Sequence, residues 1–394
     1  MNIVILADSF PPYICGVTTH TVELSRKLIR RGHHLLIFAP RYPESPPLPE
    51  EFKKARMVYL NSIPTPYQNL RICTPSFYRI AKELHSFHPT LFYAQTPSIL
   101  SIESQQFAKL FSIPFIASFH TLYASDAYLE LIFRTKYAKK LQPATWTILR
   151  WFYNASDQII VPTPSIKTHV LAHRFEKNKV SVLPSLFDIE TVKVLSAAQK
   201  ERIKKKYRLK KNVAGFVGRL TIDKGIDKLL KIWSRVIKEV PDATLLLVGG
   251  AGSYQKEIDT LIKKYRLKDH VLLTGAIAHS KLLSSGLLSV LDVFVSASTT
   301  ETFGLSMVEC MACGIPVVIP RAQGMKDIVG DAGIVCNGEK ELARTLVKIL
   351  TDDAVRLERG REAQQVAQKY GGETGVDLYL KEFKKVIAKH QKNK

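Results

Sequence analysis

An α/β protein built from two doubly wound parallel sheets is the architecture this sequence predicts. Short apolar runs rich in Val, Ile, Leu and Phe alternate with helical patterns along the whole chain. The alternation starts afresh after Leu183. A chain of 394 residues is also long for a single core, so two domains of ordinary size are expected.

In the first domain, taken as residues 1–185, residues 2–7 read as a buried strand and 17–31 as an amphipathic helix closed by Gly32. A second strand over 34–39 stops at Pro40, and further strands are expected at 90–94, 115–119, 158–161 and 180–183. The second domain, 186–374, opens with a linker and a basic helix. The runs VAGFVGRL, ATLLLVGG, HVLLTG, VLDVFVSA and IPVVIP then follow at regular spacing. A last helical pattern within 375–394 is placed to return to the first domain. Ligands of such sheets bind beyond the carboxyl ends of the strands, so a cleft between the domains is the expected site.

Composition narrows the classes of function. No apolar run approaches the roughly 20 residues that span a bilayer, and MNIVILADSF reads as a strand rather than a leader, so a cytoplasmic protein is expected. Five cysteines do not suggest a disulfide framework, and the pair Cys310 and Cys313 lies inside a helical pattern with no partners for zinc. The net charge of +22 calls for an anionic partner: nucleic acid, a phosphorylated substrate or an acidic membrane. Residues 1–185 carry +10 and 186–394 carry +12, so the charge is not a simple basic tail.

The most informative stretch is SASTTETFGLSMVECMACGIPVV. An apolar strand over 290–297 ends there, and a helix over 305–313 begins after the turn Phe303-Gly304. Gly304 lets backbone approach a ligand, and the helix start offers free N–H groups and partial positive charge to an anion. Glu301 and Glu309 bracket this turn. Carboxylates repel phosphate, so they suit hydroxyls of a sugar or ribose. Upstream, Arg219 and Lys224 flank a turn after another strand and can converge on a diphosphate, the Arg as a planar fork and the Lys as a point charge. Gly249 begins a Gly-rich turn that either approaches a nucleotide or is merely a turn. In the first domain, Gly16 follows the first strand and His120 follows the strand at 115–119.

Together these residues resemble the retaining GT-B glycosyltransferases of the group 1, family four type, and look nearest to diacylglycerol glucosyltransferases and phosphatidylinositol mannosyltransferases. The likeness spans nearly the whole chain and is most specific in ETFGLSMVE with VGRLTIDKG upstream. It implies two Rossmann-like domains facing a central cleft. By that resemblance Glu309 holds the ribose, and Glu301 approaches the donor sugar with the backbone of Phe303, Gly304 and Leu305. Arg219 and Lys224 then grip the diphosphate, Gly16 and Gly249 contact the donor, and His120 touches the sugar from the other domain. Two departures stand out: Cys15-Gly16 where the family usually has paired glycines, and Pro184-Ser185-Leu186-Phe187-Asp188 where a Gly often precedes the linker motif. No DxD motif occurs, so no metal or other cofactor is expected, and basic side chains with a helix terminus would stabilise the leaving diphosphate.

HTLYASDAY, from His120 to Tyr128, looks like a segment of diacylglycerol glucosyltransferases. Residues 128–153 hold seven aromatic and five basic side chains against Glu130 alone. Tyr128, Arg134, Lys136, Lys139, Lys140, Trp146 and Trp151 are therefore candidates to meet a lipid acceptor and an acidic membrane surface, or else part of a helix packed into its domain. The expectation is transfer of a hexose, first of all from UDP-glucose, to a lipid such as diacylglycerol by an enzyme peripheral on the cytoplasmic face of a membrane. A same-fold transferase for a soluble sugar or polyol is the alternative. A nucleic-acid-binding protein is a third class, but no nucleic acid partner is expected, because no DNA or RNA module is present and the paired glutamates would go unexplained.

Overall fold

The computed structural model describes residues 1–45, 47–65, 70–133, 137–322, 324–371 and 373–392. They form two compact units: Met1–Leu186 with Glu373–Lys394, and Phe187–Gly372.

Unit 1 is built on a seven-stranded parallel sheet. Its chain runs through β1 (Asn2–Leu6), α1 (Gly16–Arg30), β2 (His34–Pro40), β3 (Arg56–Leu60) and the antiparallel hairpin β4 (Ser62–Pro64) and β5 (Arg71–Cys73). It continues with α2 (Phe77–Phe87), β6 (Leu91–Ala94), α3 (Ile99–Leu110), β7 (Phe115–Ser118), α4 (Asp126–Phe133), α5 (Ala138–Asn154), β8 (Gln158–Val161), α6 (Pro164–Ala172) and β9 (Val180–Val182). The strand order is β3-β2-β1-β6-β7-β8-β9. Helices cover both faces, so the central strands are apolar throughout: Ile3, Ile5 and Tyr93 enter one core, and Val4, Leu6 and Phe92 the other.

Unit 2 repeats the plan with six parallel strands. Its elements are α7 (Ala197–Lys206), β10 (Asn212–Val217), α8 (Ile226–Glu239), β11 (Ala243–Val248), α9 (Gln255–Lys264), β12 (Val271–Leu273), α10 (His279–Ser285) and β13 (Val293–Val295). They are followed by α11 (Leu305–Ala312), β14 (Val317–Pro320), α12 (Met325–Val329), β15 (Ile334–Cys336), α13 (Glu339–Thr351) and α14 (Asp353–Ala367). The order is β12-β11-β10-β13-β14-β15. The last helix, α15 (Glu373–Lys392), belongs to unit 1 and buries Val376, Tyr379 and Phe383 beside β1 and β6 residues. Glu373 at its start pairs with Arg31 at 2.6 Å, and Glu382 accepts a hydrogen bond from Ser181 at 2.7 Å.

Several elements differ from the sequence reading. The strand expected over 290–297 is only Val293–Val295, because residues 288–290 close a 3-10 turn with Leu291 N bonded to Leu288 O. The edge strands β3 and β15 and the β4–β5 hairpin were not anticipated. Edge strands are half exposed and short, which leaves little periodic signal. All five cysteines are free thiols, four of them buried. Among the described residues no helix is long and apolar enough to cross a membrane.

Candidate active site

In each sheet the strand order reverses between two neighbouring strands, and the loops leaving their carboxyl ends part there to leave a crevice. In unit 2 these strands are β10 and β13, and they carry the motifs singled out above.

Glycines let the strand ends approach. A Cβ on Gly249 would lie 1.8 Å from the Gly218 carbonyl oxygen, and one on Gly225 would lie 2.5 Å from that of Ala297. The second contact draws the turn after β10 onto the end of β13. There Thr300 Oγ1 and Ser298 Oγ donate to the Asp223 carbonyl at 3.0 and 3.3 Å. Lys224, next in the chain, then meets Glu301, with Nζ 2.5 Å from Oε1. Arg219 lies 3.6 Å from the Asp223 carboxylate, which also accepts from Thr221 Oγ1 at 2.5 Å. Two cations and two acids are thus interleaved over one pair of strand ends.

The turn after β13 leads into α11. Gly304 caps this helix at φ +81°, a left-handed conformation that strains other residues. Phe303 is buried edge-on against Tyr370, and Leu305 is buried too, so the turn is held from beneath. Ser306 Oγ bonds the Val217 carbonyl at 2.7 Å and ties the helix start to the end of β10. The first turn of α11 carries no acidic side chain, so its partial positive charge faces the same crevice as Lys224 and Arg219. Glu309 is buried at 2% exposure and its Oε1 accepts from His279 Nε2 at 2.6 Å. The sequence reading missed His279, a lone histidine opening α10 with no motif around it. Asp223 was also overlooked as a partner for Arg219.

The remaining candidates lie in unit 1. Gly16 is the first residue of α1, whose N-cap is the Cys15 side chain, with Sγ accepting from Thr18 N at 3.5 Å. His120 follows β7 and bonds Gln95 Oε1 at 3.1 Å through Nε2, with its ring 5.0 Å from that of buried His20. Burial lowers the His120 pKa to about 4, and it pushes that of His20 well below the usual histidine range, with the charge of His120 adding to the effect.

The aromatic and basic stretch divides. Trp151 is 55% exposed on α5 beside Ile148 at 60%, with Lys139 and Lys140 exposed nearer the helix start. Trp146 corrects the expectation that both tryptophans meet a membrane: it stacks on His173 at 3.7 Å and packs against the unit 1 core. Tyr128 is half-buried against Tyr123. Arg134 and Lys136 lie outside the described residues.

Comparison with known proteins agrees with this fold. The glycosyl transferases group 1 model matches residues 198–366 and the Glycosyltransferase Family 4 model matches 14–191. The chain belongs to this family and is a glycosyltransferase of the GT-B fold, with one Rossmann-like domain from each model. It is 27% identical to the sulfoquinovosyl transferase SQD2 of Arabidopsis thaliana over 91% of this chain and 68% of that protein. It is 24% identical to an alpha-monoglucosyldiacylglycerol synthase of Streptococcus pneumoniae over 99% of this chain and 89% of that one. Among solved structures, a sucrose-phosphate synthase from Thermosynechococcus elongatus superposes with a TM-score of 0.81 at 19% identity, covering 98% and 99% of the two chains.

Proposed function

We propose that this enzyme moves a hexose, with UDP-glucose the first donor to test, from a nucleotide diphosphate to a lipid hydroxyl such as that of diacylglycerol at a membrane surface, retaining the anomeric configuration. The observation that carries the donor half is the switch point of unit 2, where Arg219, Lys224 and the start of α11 converge. The lipid acceptor is supported by likeness along almost the full chain to a protein named as a glucosyldiacylglycerol synthase.

In this reading the cations and helix terminus bind the diphosphate and stabilise the charge that grows on it as the bond from C1 to the β-phosphate oxygen breaks. Glu309, oriented by His279, holds the ribose hydroxyls. Glu301 and the backbone of Phe303, Gly304 and Leu305 hold the sugar, while Gly16 and Gly249 give close backbone approach to the donor. His120 contacts the sugar as a neutral imidazole. The acceptor oxygen bonds C1 on the face the phosphate leaves, and its proton passes to the departing phosphate oxygen. No metal is invoked, since Arg219 and Lys224 supply the countercharge. The exposed face of α5, with Lys139, Lys140, Ile148 and Trp151, docks on acidic lipid at the cytoplasmic face.

The test is a panel of nucleotide sugars against lipid vesicles and soluble sugars, with products read by mass spectrometry and with EDTA in a parallel arm. A glycosylated lipid formed equally with EDTA is the expected result. Products only from soluble acceptors would select the alternative acceptor class. Activity lost to EDTA and restored by manganese or magnesium would overturn the metal-free mechanism.

A further inference from the structure

Unit 1 has a switch point of its own, between β1 and β6. Asp8 stands two residues beyond β1 and Thr96 two beyond β6, so both loops leave the sheet at this crevice. The Asp8 carboxylate is 7% exposed and its two oxygens differ. Oδ2 accepts from Thr96 Oγ1 at 2.9 Å and from Ser98 Oγ at 2.5 Å. Ser98 in turn caps α3 by accepting from Ser101 N at 3.1 Å. This oxygen does structural work, tying the loop after β6 and the start of α3 to the end of β1.

Oδ1 is buried and has no hydrogen-bond partner in the structure. Leaving a buried acceptor unsatisfied is destabilising, and more so for a charged group. An asparagine or a serine could make the Oδ2 bonds without burying a charge, so the loop's architecture does not account for the second oxygen. Burial raises the Asp8 pKa, while the bonds from Ser98, Thr96 and its own main-chain amide act against that rise. Tyr123, in the loop after β7 and packed on Phe119 and Tyr128, likewise has a buried hydroxyl without an acceptor of good geometry. Burial chiefly raises its pKa and Tyr128 adds to the rise, a bond from Thr121 acts against it, and the Asp8 charge makes a smaller upward contribution.

A buried, unpartnered carboxylate oxygen at a switch point selects what it can bind. Phosphate or carboxylate is repelled, and a divalent ion would want further ligands, yet no group of three His, Cys, Asp or Glu able to hold a metal occurs among the described residues. A hydroxyl donates to such an oxygen and can also accept from a phenol. We propose that Asp8, assisted by Tyr123, is the hydroxyl-binding residue of the acceptor site, and that it selects a neutral, hydroxyl-bearing acceptor over one with an anionic group at that point. The word acceptor rests on the transferase reading above; the binding chemistry of unit 1 does not.

Asp8→Asn keeps an oxygen for Thr96 and Ser98, and Tyr123→Phe keeps the ring packing. With dioleoylglycerol in phosphatidylcholine and phosphatidylglycerol vesicles and the donor found by the panel, acceptor KM should rise tenfold or more in Asp8→Asn and less in Tyr123→Phe. UDP affinity by calorimetry should stay within twofold in both. Unchanged acceptor KM in both folded variants overturns the proposal, and so does an equal fall in UDP affinity, which would mark a structural role. Should Asp8→Asn fail to fold, Tyr123→Phe decides alone. A wild type that glycosylates only soluble sugars removes the lipid reading, and the same KM comparison is then made on that sugar.

Discussion

Lys224 and Glu301 lie 2.5 Å apart with 15% and 23% of their side chains exposed, so neither charge can be removed without stranding the other. Lys224→Ala should cut turnover about a hundredfold or more at saturating donor, since in the proposed mechanism the diphosphate charge it meets grows in the transition state. Wild-type turnover in that variant would remove Lys224 from the mechanism. Glu309 is expected to behave differently, because in the proposed mechanism it holds a ribose in ground and transition states alike. Glu309→Ala should weaken nucleotide binding and activity together, and His279→Ala should reproduce part of that loss by freeing the carboxylate. Calorimetry with UDP reads both, and unaltered affinity in Glu309→Ala would exclude the ribose role.

At the scale of elements, the strand ends of unit 2 depend on backbone contact. Gly249 has φ +151° and leaves no room for a Cβ against the Gly218 carbonyl. Gly249→Ala should cost on the order of 2 kcal/mol or more in urea unfolding, and a variant as stable as the wild type would show that this contact is not tight. Helix α5 makes a separate prediction, because its tryptophans point to different surroundings. Trp151→Ser with Ile148→Ser should reduce sedimentation with anionic vesicles and leave the fold intact, whereas Trp146→Ser should lower stability. Each lysine near an anionic surface contributes about 1 kcal/mol and is screened within about 8 Å at physiological salt, so binding should also fall as salt is added. Equal loss from both tryptophan sites in folded proteins would refute the division.

The whole molecule carries an acid sensitivity in unit 1. His20 and His120 have folded pKa values below the ordinary 6.5, His120 at about 4, so between these limits the unfolded chain binds protons that the folded one does not. Stability contributed by the two neutral rings is full above pH 6.5 and is lost as pH falls toward 4. The Asp8 pKa is raised, and it works in the opposite sense over the window just above its ordinary 3.8. Thermal melts between pH 7 and 4.5 should therefore fall, and proton NMR should show neither ring titrating between pH 8 and 5. A ring that titrates near 6.5 would contradict this burial.

The sequence by itself determined the two-sheet α/β class, because apolar strand runs and helix periodicity are local signals that state which faces are buried. It also exposed the stretch from Glu301 to Glu309, since a strand, a Gly turn and a helix that follow one another in the chain must lie together in space. Pairing between distant segments was decided only by tertiary structure. Glu309 meets a histidine 30 positions earlier, Lys224 meets a glutamate 77 later, and Asp8 meets a serine 90 later. The order of strands in each sheet makes those neighbours. Periodicity tells a strand to be buried but not beside which other strand, so the partners of each buried charge, and the Asp8 oxygen left without one, appear only when the sheets are assembled.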